Sequence, residues 1–318
     1  MITAVDVSTS MVGVEFGVFL VPEGNTYGTL LSRARLSEEL GYHSIWLSDH
    51  LHGMYSGPGA PRLECWTTTA ALAAATSCVR LGQLAMASPF RHPPLLAKMS
   101  ATLDYLSKGR LELGLGAGWC REEFEAYGYH YGTWKERIDR LDEAAQIIKM
   151  MWTQPEATFS GRHYRAEGAR CEPKPVQRPH PPLMIAGGGE RFTLRSVARH
   201  ANACNFAQWT GTPEEYIHKL EILNGHCDKV GRDPDEIRKT WAAFTFVDED
   251  AARAGESAEG LLGEHADKAR IVGTPEDVVG QLGAYVDVGV TLFIISFLGG
   301  DFEREAKLFA EEVVPNLK

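Results

Sequence analysis

The chain has 318 residues, of which 44% are hydrophobic and 23% are charged. This composition excludes disordered, collagen-like and coiled-coil proteins and predicts a soluble globular protein with a well-buried core. The 32 basic and 42 acidic residues give a net charge of −10, the wrong sign for a dedicated nucleic-acid or anionic-membrane binder. We therefore expect neither a nucleic-acid nor a membrane partner.

The amino-terminal residues and the spacing of the cysteines predict the compartment in which the protein is found. The first 17 residues contain Asp6 but no lysine or arginine, so they lack the basic region of a secretory signal. The 6 cysteines are spread widely without a CxxC pair, which argues against a disulfide framework and against a structural metal site. We expect a cytoplasmic protein with reduced thiols.

Strand-like apolar runs alternate with helical patterns along the whole chain. The predicted strands, each followed by a helix, lie at 14–21, 44–50, 79–87, 110–118, 182–189, 203–208, 239–247 and 291–298. Eight such units predict an α/β protein of the closed parallel (β/α)8 TIM barrel class, built as one domain over residues 1–318. A doubly wound open sheet is the alternative.

One segment, 157–182, interrupts this alternation. It has little apolar periodicity and contains five prolines, so it predicts a short hairpin-plus-loop insertion between units four and five. The chemistry of a (β/α)8 barrel lies at the carboxyl ends of the strands. Candidate site residues are therefore those that follow each strand.

The second strand is followed by Asp49, His50 and His52. A His-x-His pair at a strand end can bind a metal, but strands five and six end in Gly-Gly-Gly and Phe-Ala-Gln and supply no further ligands. Alternatively, Asp49 caps the loop and His50 is a satisfied polar residue. We expect no metal, and we take His50 as the acid/base candidate because imidazole titrates near neutral pH.

The fourth strand carries glycines at alternate positions, Gly114, Gly116 and Gly118. Missing side chains there let a flat ligand or another strand approach the backbone. The GxGxG spacing, with Trp119 following, does not match the GxGxxG fingerprint of dinucleotide-binding folds. Trp119 either fills the core or stacks on a ring in a ligand pocket.

Three consecutive glycines end the predicted fifth strand: Gly187, Gly188 and Gly189. A helix follows, with Glu190, Arg191 and Thr193 predicted in its first turn. Free backbone N–H groups and the positive end of a helix dipole favour a phosphate. The alternative is a tight turn that needs positive φ.

Other charged residues near strand ends are less informative. Arg91 and His92 follow the third strand and could face an anionic substrate or solvent. Glu122 and Glu123 lie a turn after Trp119, where acidic residues favour the start of a helix. We assign these two acids no further role.

Four segments together resemble the luciferase-like monooxygenase superfamily over nearly the whole chain. They are WLSDHL, GRLELGLGAGWCREEFEAYGY, GRHYRAEG and PPLMIAGGGERFTLRSVARHANACN. Within that superfamily the chain is most similar to the deazaflavin-dependent oxidoreductases, in which a glycine-rich loop is followed by TLR and then by a stretch like HANACN. The resemblance implies a (β/α)8 barrel that binds coenzyme F420, a 5-deazaflavin, in its mouth.

The resemblance also implies roles for individual residues. Asp49 and His50 would lie beside the deazaflavin ring, with His50 a proton donor or a hydrogen-bonding partner for the substrate. Because the two residues are adjacent at a strand end, we also expect Asp49 and burial to set the protonation of His50. Leu84 and Ala85 fall where the family has a non-prolyl cis peptide against the ring. Gly118 and Trp119 would line the cofactor pocket, and the glycines of the fifth strand would hold the phosphate.

The implied reaction is hydride transfer between the deazaflavin and a small organic substrate. Members that oxidise sugar phosphates carry a glutamate where this chain has Trp119, which leaves the substrate open. The alternatives are an FMN-dependent monooxygenase on the same barrel, a non-catalytic flavin-binding protein, and a metallohydrolase built on Asp49, His50 and His52. A homodimer is expected from the resemblance, and the apolar helix at 66–76 suits either its interface or the core.

Overall fold

The computed structural model describes residues 13–206, 211–263 and 270–317, and β-strands alternate with α-helices throughout these ranges. The first half contains β1 (Glu15–Phe19), α1 (Tyr27–Glu39), β2 (Ser44–Leu47), α2 (Cys65–Ala75), β3 (Arg80–Gln83), β4 (Met86–Ala87), α3 (Pro93–Leu106), β5 (Leu111–Gly116), α4 (Arg121–Ala126) and α5 (Trp134–Thr153). The second half contains β6 (Ala157–Ser160), β7 (Arg165–Ala169), β8 (Leu183–Ala186), α6 (Thr193–His200), β9 (Ala203–Asn205), α7 (Pro213–Val230), β10 (Arg238–Val247), α8 (Ala251–Leu262), β11 (Arg270–Gly273), α9 (Pro275–Asp287), β12 (Leu292–Phe297) and α10 (Phe302–Leu308).

Eight of these strands close into a parallel ring. The order around it is β1, β2, β3, β5, β8, β9, β10 and β12, and β12 pairs again with β1. The predicted (β/α)8 barrel is confirmed, and the open-sheet alternative is wrong because both ends of the sheet are paired. The prediction of one domain over 1–318 stays a prediction. Positions 1–12, and 207–208 at the end of the predicted sixth strand, lie outside the described residues.

The structure adds elements that the sequence patterns did not predict. Between β10 and the predicted helix α9 it places α8 and β11, and β11 pairs with β10 outside the ring. Helix α8 was not predicted because Gly255 and Gly260 lower the helix propensity of this segment. In the predicted insertion, β6 and β7 form an antiparallel hairpin.

Side chains alternate between the two faces of the barrel wall. Outward residues such as Ile45 and Leu113 pack against the helices, whereas inward residues such as Trp46 and Met184 fill the barrel. Trp46 fits only because a neighbouring strand carries Gly82, where a Cβ would lie 2.2 Å from the indole ring. The apolar helix α2 packs into this chain's own core through residues that include Leu72.

A charged cluster closes the amino-terminal end of the barrel, which we call the barrel floor. It consists of Glu15, His43, Arg80, Glu112 and Arg238. The carboxylate of Glu112 is buried and accepts a hydrogen bond from Arg80 Nε at 2.6 Å. Burial lowers the pKa of His43, so its neutral form is favoured within the cluster. The floor lies at the opposite end of the barrel from the strand ends where ligands are expected.

The described residues include neither a helix that could span a membrane nor a disulfide bond. Within the described ranges, no helix has both the length and the apolar character that a membrane span requires. All 6 cysteines are free thiols, and Cys78 is the exposed member of the set.

Candidate active site

A cavity of about 510 Å³ opens where β2, β3, β5 and β8 end. Its base is formed by inward-facing residues of the barrel, among them Leu84 and Ala186. Every residue predicted for the site lines this cavity: Asp49, His50, Leu84, Ala85, Gly118, Trp119, Gly187, Gly188 and Gly189. The fold therefore brings together residues from segments up to 140 positions apart (189 − 49). Their individual roles remain predictions.

Asp49 follows β2 and is almost completely buried. Its carboxylate accepts hydrogen bonds from Arg91 Nη1 at 2.7 Å, from Arg91 Nη2 at 3.0 Å and from the Ala87 N–H at 2.9 Å. Burial raises the pKa of Asp49, and the Arg91 guanidinium opposes that rise. Arg91 thus faces neither an anionic substrate nor solvent, the two positions considered from the sequence; it is the counter-ion of Asp49.

His50 has a different partner from the one expected. Its Nδ1 lies 2.7 Å from Oε2 of Glu123, and its side chain is 17% exposed. The prediction that Asp49 sets the protonation of His50 is wrong, because Asp49 is turned toward Arg91. An ionised carboxylate can only accept, so Nδ1 carries the proton in this contact. The remaining ring nitrogen, Nε2, is then the one that can take up a proton.

Glu123 is held more firmly than a residue that only starts a helix. Its Oε1 accepts hydrogen bonds from the backbone N–H groups of Leu51 at 2.5 Å and His52 at 3.4 Å. Burial raises the pKa of Glu123, but the hydrogen bonds from His50, Leu51 and His52 outweigh it and leave that pKa below its usual value. Glu123 therefore stays ionised and ties α4 to the loop that carries His50.

Trp119 does not fill the core, because 62% of its surface is exposed. Its ring lies edge-on to the ring of His50, with 5.6 Å between centroids. The Tyr131 hydroxyl donates to the backbone carbonyl of Trp119 at 2.8 Å and fixes this loop. The indole is therefore available to a ligand beside His50.

The peptide bond between Leu84 and Ala85 is cis, as the resemblance implied. It lies between β3 and β4 and borders the cavity. A Cβ on Gly116 of the adjacent strand would lie 3.4 Å from the Ala85 Cβ. The wall therefore has little side-chain bulk at this point, which suits a flat ligand.

The loop after β8 combines free backbone donors with an unpartnered hydroxyl. No described residue accepts a hydrogen bond from the N–H groups of Gly188 or Gly189. The Thr193 hydroxyl is buried and has no partner among the described residues. A Cβ on Gly188 would lie 2.8 Å from the Phe206 carbonyl oxygen, so glycine is required there. This loop has the form of a phosphate cradle.

The start of α6 differs in detail from the prediction. The helix begins at Thr193, so Glu190 and Arg191 precede its first turn. The Arg191 guanidinium lies 5.0 Å from the Phe192 ring centroid, and Glu190 accepts a hydrogen bond from Lys219 at 2.5 Å. Thr193, rather than Arg191, is the side chain of this segment that lines the cavity.

The residues considered as metal ligands do not form a cluster. His52 Nδ1 lies 3.0 Å from its neighbour's carbonyl, that of Gly53. Across residues 13–206, 211–263 and 270–317, no three or more His, Cys, Asp and Glu side chains are grouped to hold a metal ion.

The sequence patterns did not show that Glu123 bonds to His50. They also did not show that the aromatic side chains of Tyr55 and Trp134 line the cavity. Glu123 reaches His50 across 73 positions, and no local pattern marks such a contact. Tyr55 lies in a loop whose Met54, Tyr55 and Ser56 N–H groups all bond to the carboxylate of Glu23. The segment 51–61, LHGMYSGPGAP, has no periodic pattern that would predict this contact with Glu23.

Comparison with known proteins finds relatives that align with most of this chain. The chain is 31% identical over 320 aligned positions to an F420-dependent glucose-6-phosphate dehydrogenase of Microbacterium testaceum (strain StLB037), covering 91% of this chain and 93% of that protein. It is 29% identical over 279 positions to an FMNH(2)-dependent dimethylsulfone monooxygenase of Pseudomonas fluorescens (strain Pf0-1), covering 77% and 75%.

A solved structure shares the fold. It is an F420-dependent secondary alcohol dehydrogenase in complex with an F420-acetone adduct, with a TM-score of 0.86, 19% identity, and coverage of 96% of this chain and 99% of that one. The model of the luciferase-like monooxygenase family matches residues 11–270. With that match over most of its length, the chain belongs to the luciferase-like monooxygenase family.

Proposed function

We propose that this protein is a coenzyme F420-dependent oxidoreductase that transfers a hydride between the deazaflavin and a small organic substrate. The observation that carries the proposal is one cavity that joins a phosphate cradle to a histidine held by an ionised carboxylate. The F420-dependent dehydrogenases among its relatives support the choice of cofactor.

The residues present fit a phosphate-bearing flat cofactor. The N–H groups of Gly188 and Gly189 and the hydroxyl of Thr193 offer three donors with no described protein acceptor. Leu84 and Ala85 form an apolar wall where a ring would pack. A buried hydroxyl without a partner costs free energy, which a ligand phosphate would recover.

When bound, a 5-deazaflavin supplies or accepts a hydride. The protein's own residues orient the substrate, exclude water and move the accompanying proton. His50 is the proton-transfer residue in this proposal, with Nε2 as the reacting atom. Glu123 is its positioning residue, because it fixes which ring nitrogen carries the proton.

An FMN-dependent monooxygenase is the second candidate, favoured by the similarity to the dimethylsulfone monooxygenases. Titration of the cofactor-free protein with oxidised F420 and with FMN, followed by tryptophan fluorescence, separates the two. We expect F420 to bind at least tenfold more tightly, a difference of about 1.4 kcal/mol. The reverse preference would support the monooxygenase, and binding of neither would overturn both cofactor assignments.

We predict that Thr193→Val weakens F420 binding by about tenfold, the contribution of one hydrogen bond to a charged group. Stability should change by less than about 0.5 kcal/mol, because the hydroxyl has no protein partner to lose. The measurements are a cofactor titration and a urea denaturation curve. Thr240→Val is the matched control for stability, since the Thr240 hydroxyl donates to Cys204 O at 2.8 Å and its loss should be destabilising. Unchanged cofactor affinity in Thr193→Val would remove this residue from the cradle.

A further inference from the structure

The side chains that border the cavity include no permanently charged cation to offer a ligand. Among the described residues, none of those lining it is a lysine or an arginine. The two lining carboxylates, Asp49 and Glu123, are already engaged by Arg91 and His50. A substrate bearing a phosphate or carboxylate would lose its hydration here without gaining an ion pair to a lysine or an arginine.

Among the described residues, three arginines hydrogen-bond to residues that line the cavity, and each also bonds to other groups of the protein. Arg91 bonds to Asp49 and to Glu64, with Nη2 lying 2.5 Å from the Glu64 carboxylate. Arg62 bonds through its two terminal nitrogens to Glu23 and Ser48; its Nε has no partner among the described residues, and its side chain is 1% exposed. Arg137 donates to the backbone carbonyls of Gly118, Tyr131 and Gly132. None of these guanidinium groups is displayed to the cavity.

A cation does lie near the opposite side of the cavity, at the phosphate cradle. The Lys219 Cε would be 3.7 Å from a Cβ on Gly188, and its Nζ is paired with Glu190. Lys219, although paired like the three arginines, therefore lies close to the cradle, whereas no lysine or arginine is among the described residues that line the cavity. This division suits an anionic cofactor group on one side and an uncharged substrate on the other.

The lining also exposes large aromatic side chains. Trp119, Tyr55 and Trp134 are 62%, 55% and 50% exposed. Trp119 lies against His50, and the loop of Tyr55 is anchored by the carboxylate of Glu23. Aromatic surface held in place and open to a cavity favours contact with a planar apolar ligand.

We infer that the substrate of this site is an uncharged, predominantly apolar molecule with an aromatic or other planar portion, which packs on Trp119 beside His50. The inference rests on the proposed function, since it assigns a substrate class to the same cavity. It predicts that sugar phosphates and other anions are poorer ligands of the substrate region than neutral analogues.

The test compares probes that differ in one property. The F420-loaded protein is titrated with acetophenone, with 4-acetylbenzoate and with cyclohexyl methyl ketone, and binding is followed by tryptophan fluorescence and by ligand-observed NMR. We expect the added carboxylate to weaken binding at least tenfold, and replacement of the aromatic ring by cyclohexyl to weaken it severalfold. Equal or tighter binding of 4-acetylbenzoate or of glucose 6-phosphate, or no saturable binding of acetophenone, would overturn the inference.

Variants at Trp119 test the contact itself. We expect Trp119→Ala to weaken acetophenone binding about fivefold to tenfold, and Trp119→Phe to retain most of it. Trp119→Lys should narrow or reverse the preference against 4-acetylbenzoate, because it places a cation at the same position. Tyr105→Ala, at an exposed tyrosine of α3 that does not line the cavity, is the matched control. Unchanged ketone affinity in Trp119→Ala would contradict the proposed packing.

The same titrations separate this inference from the cofactor assignment. If the protein binds FMN and not F420, and the FMN-loaded protein still prefers the neutral ketone, the proposed function fails and the substrate class stands. If F420 binds tightly while the anionic probe is preferred, the substrate class fails and the proposed function stands.

Discussion

We expect His50→Ala to lower the rate of hydride transfer by about 100-fold, the usual contribution of a positioned proton-transfer group. The reason is that Nε2 is the one ring nitrogen able to take up a proton while Nδ1 is bonded to Glu123. Single-turnover kinetics with reduced F420 and a neutral ketone measure this step. His52→Ala is the control, because the His52 ring contacts its neighbour's carbonyl. A rate within twofold of the parent protein would remove His50 from the proposed reaction.

Glu123→Gln tests whether His50 depends on its carboxylate partner. The amide is nearly isosteric but uncharged, so we expect about a tenfold lower rate and a mixture of His50 tautomers. Nitrogen chemical shifts of the labelled imidazole report the tautomer independently of activity. Glu122→Gln, at the exposed neighbour of Glu123 on α4, should leave both quantities unchanged. An unchanged tautomer in Glu123→Gln would mean that Glu123 only anchors the loop.

The second large effect is expected for stability. Asp49→Ala should lower the free energy of unfolding by about 3 kcal/mol, because it leaves the largely buried Arg91 without its principal counter-ion. Chemical denaturation followed by circular dichroism gives the value. The double variant Asp49→Ala/Arg91→Ala should lose little more than Asp49→Ala alone, since the second substitution removes the unpaired charge. Additive losses would show that the two side chains are not coupled.

The barrel was predictable because its signals are local and repeated. Apolar runs such as LFIISF, 292–297, are typical of buried strands in a parallel sheet, and each is followed by a segment with helical spacing. The glycine loop after β8 was predictable for the same reason, since three consecutive glycines before a helix have a direct physical meaning. Eight such units have few ways of closing other than a ring.

The electrostatic partners in the site could not be predicted in this way. Which carboxylate reaches His50 depends on how a short helix, α4, packs against a loop from another unit. Asp49, the acid adjacent to His50 in sequence, is drawn away by Arg91, 42 positions further on. Sequence shows that acids and bases are present near strand ends, but the pairing is settled by packing in three dimensions.

The barrel floor gives this molecule a further property, which concerns how it can diversify. The ion pairs of Glu112 with Arg80 and Arg238 lie at the end of the barrel away from the cavity, so they link β3, β5 and β10 without using any residue that lines the cavity. Loops at the mouth can therefore acquire substitutions that alter ligand preference while the contacts between strands at the barrel floor stay the same. Natural evolution or directed evolution toward a new substrate can therefore change the loops at the mouth, because the ion pairs of the barrel floor lie at the other end of the barrel.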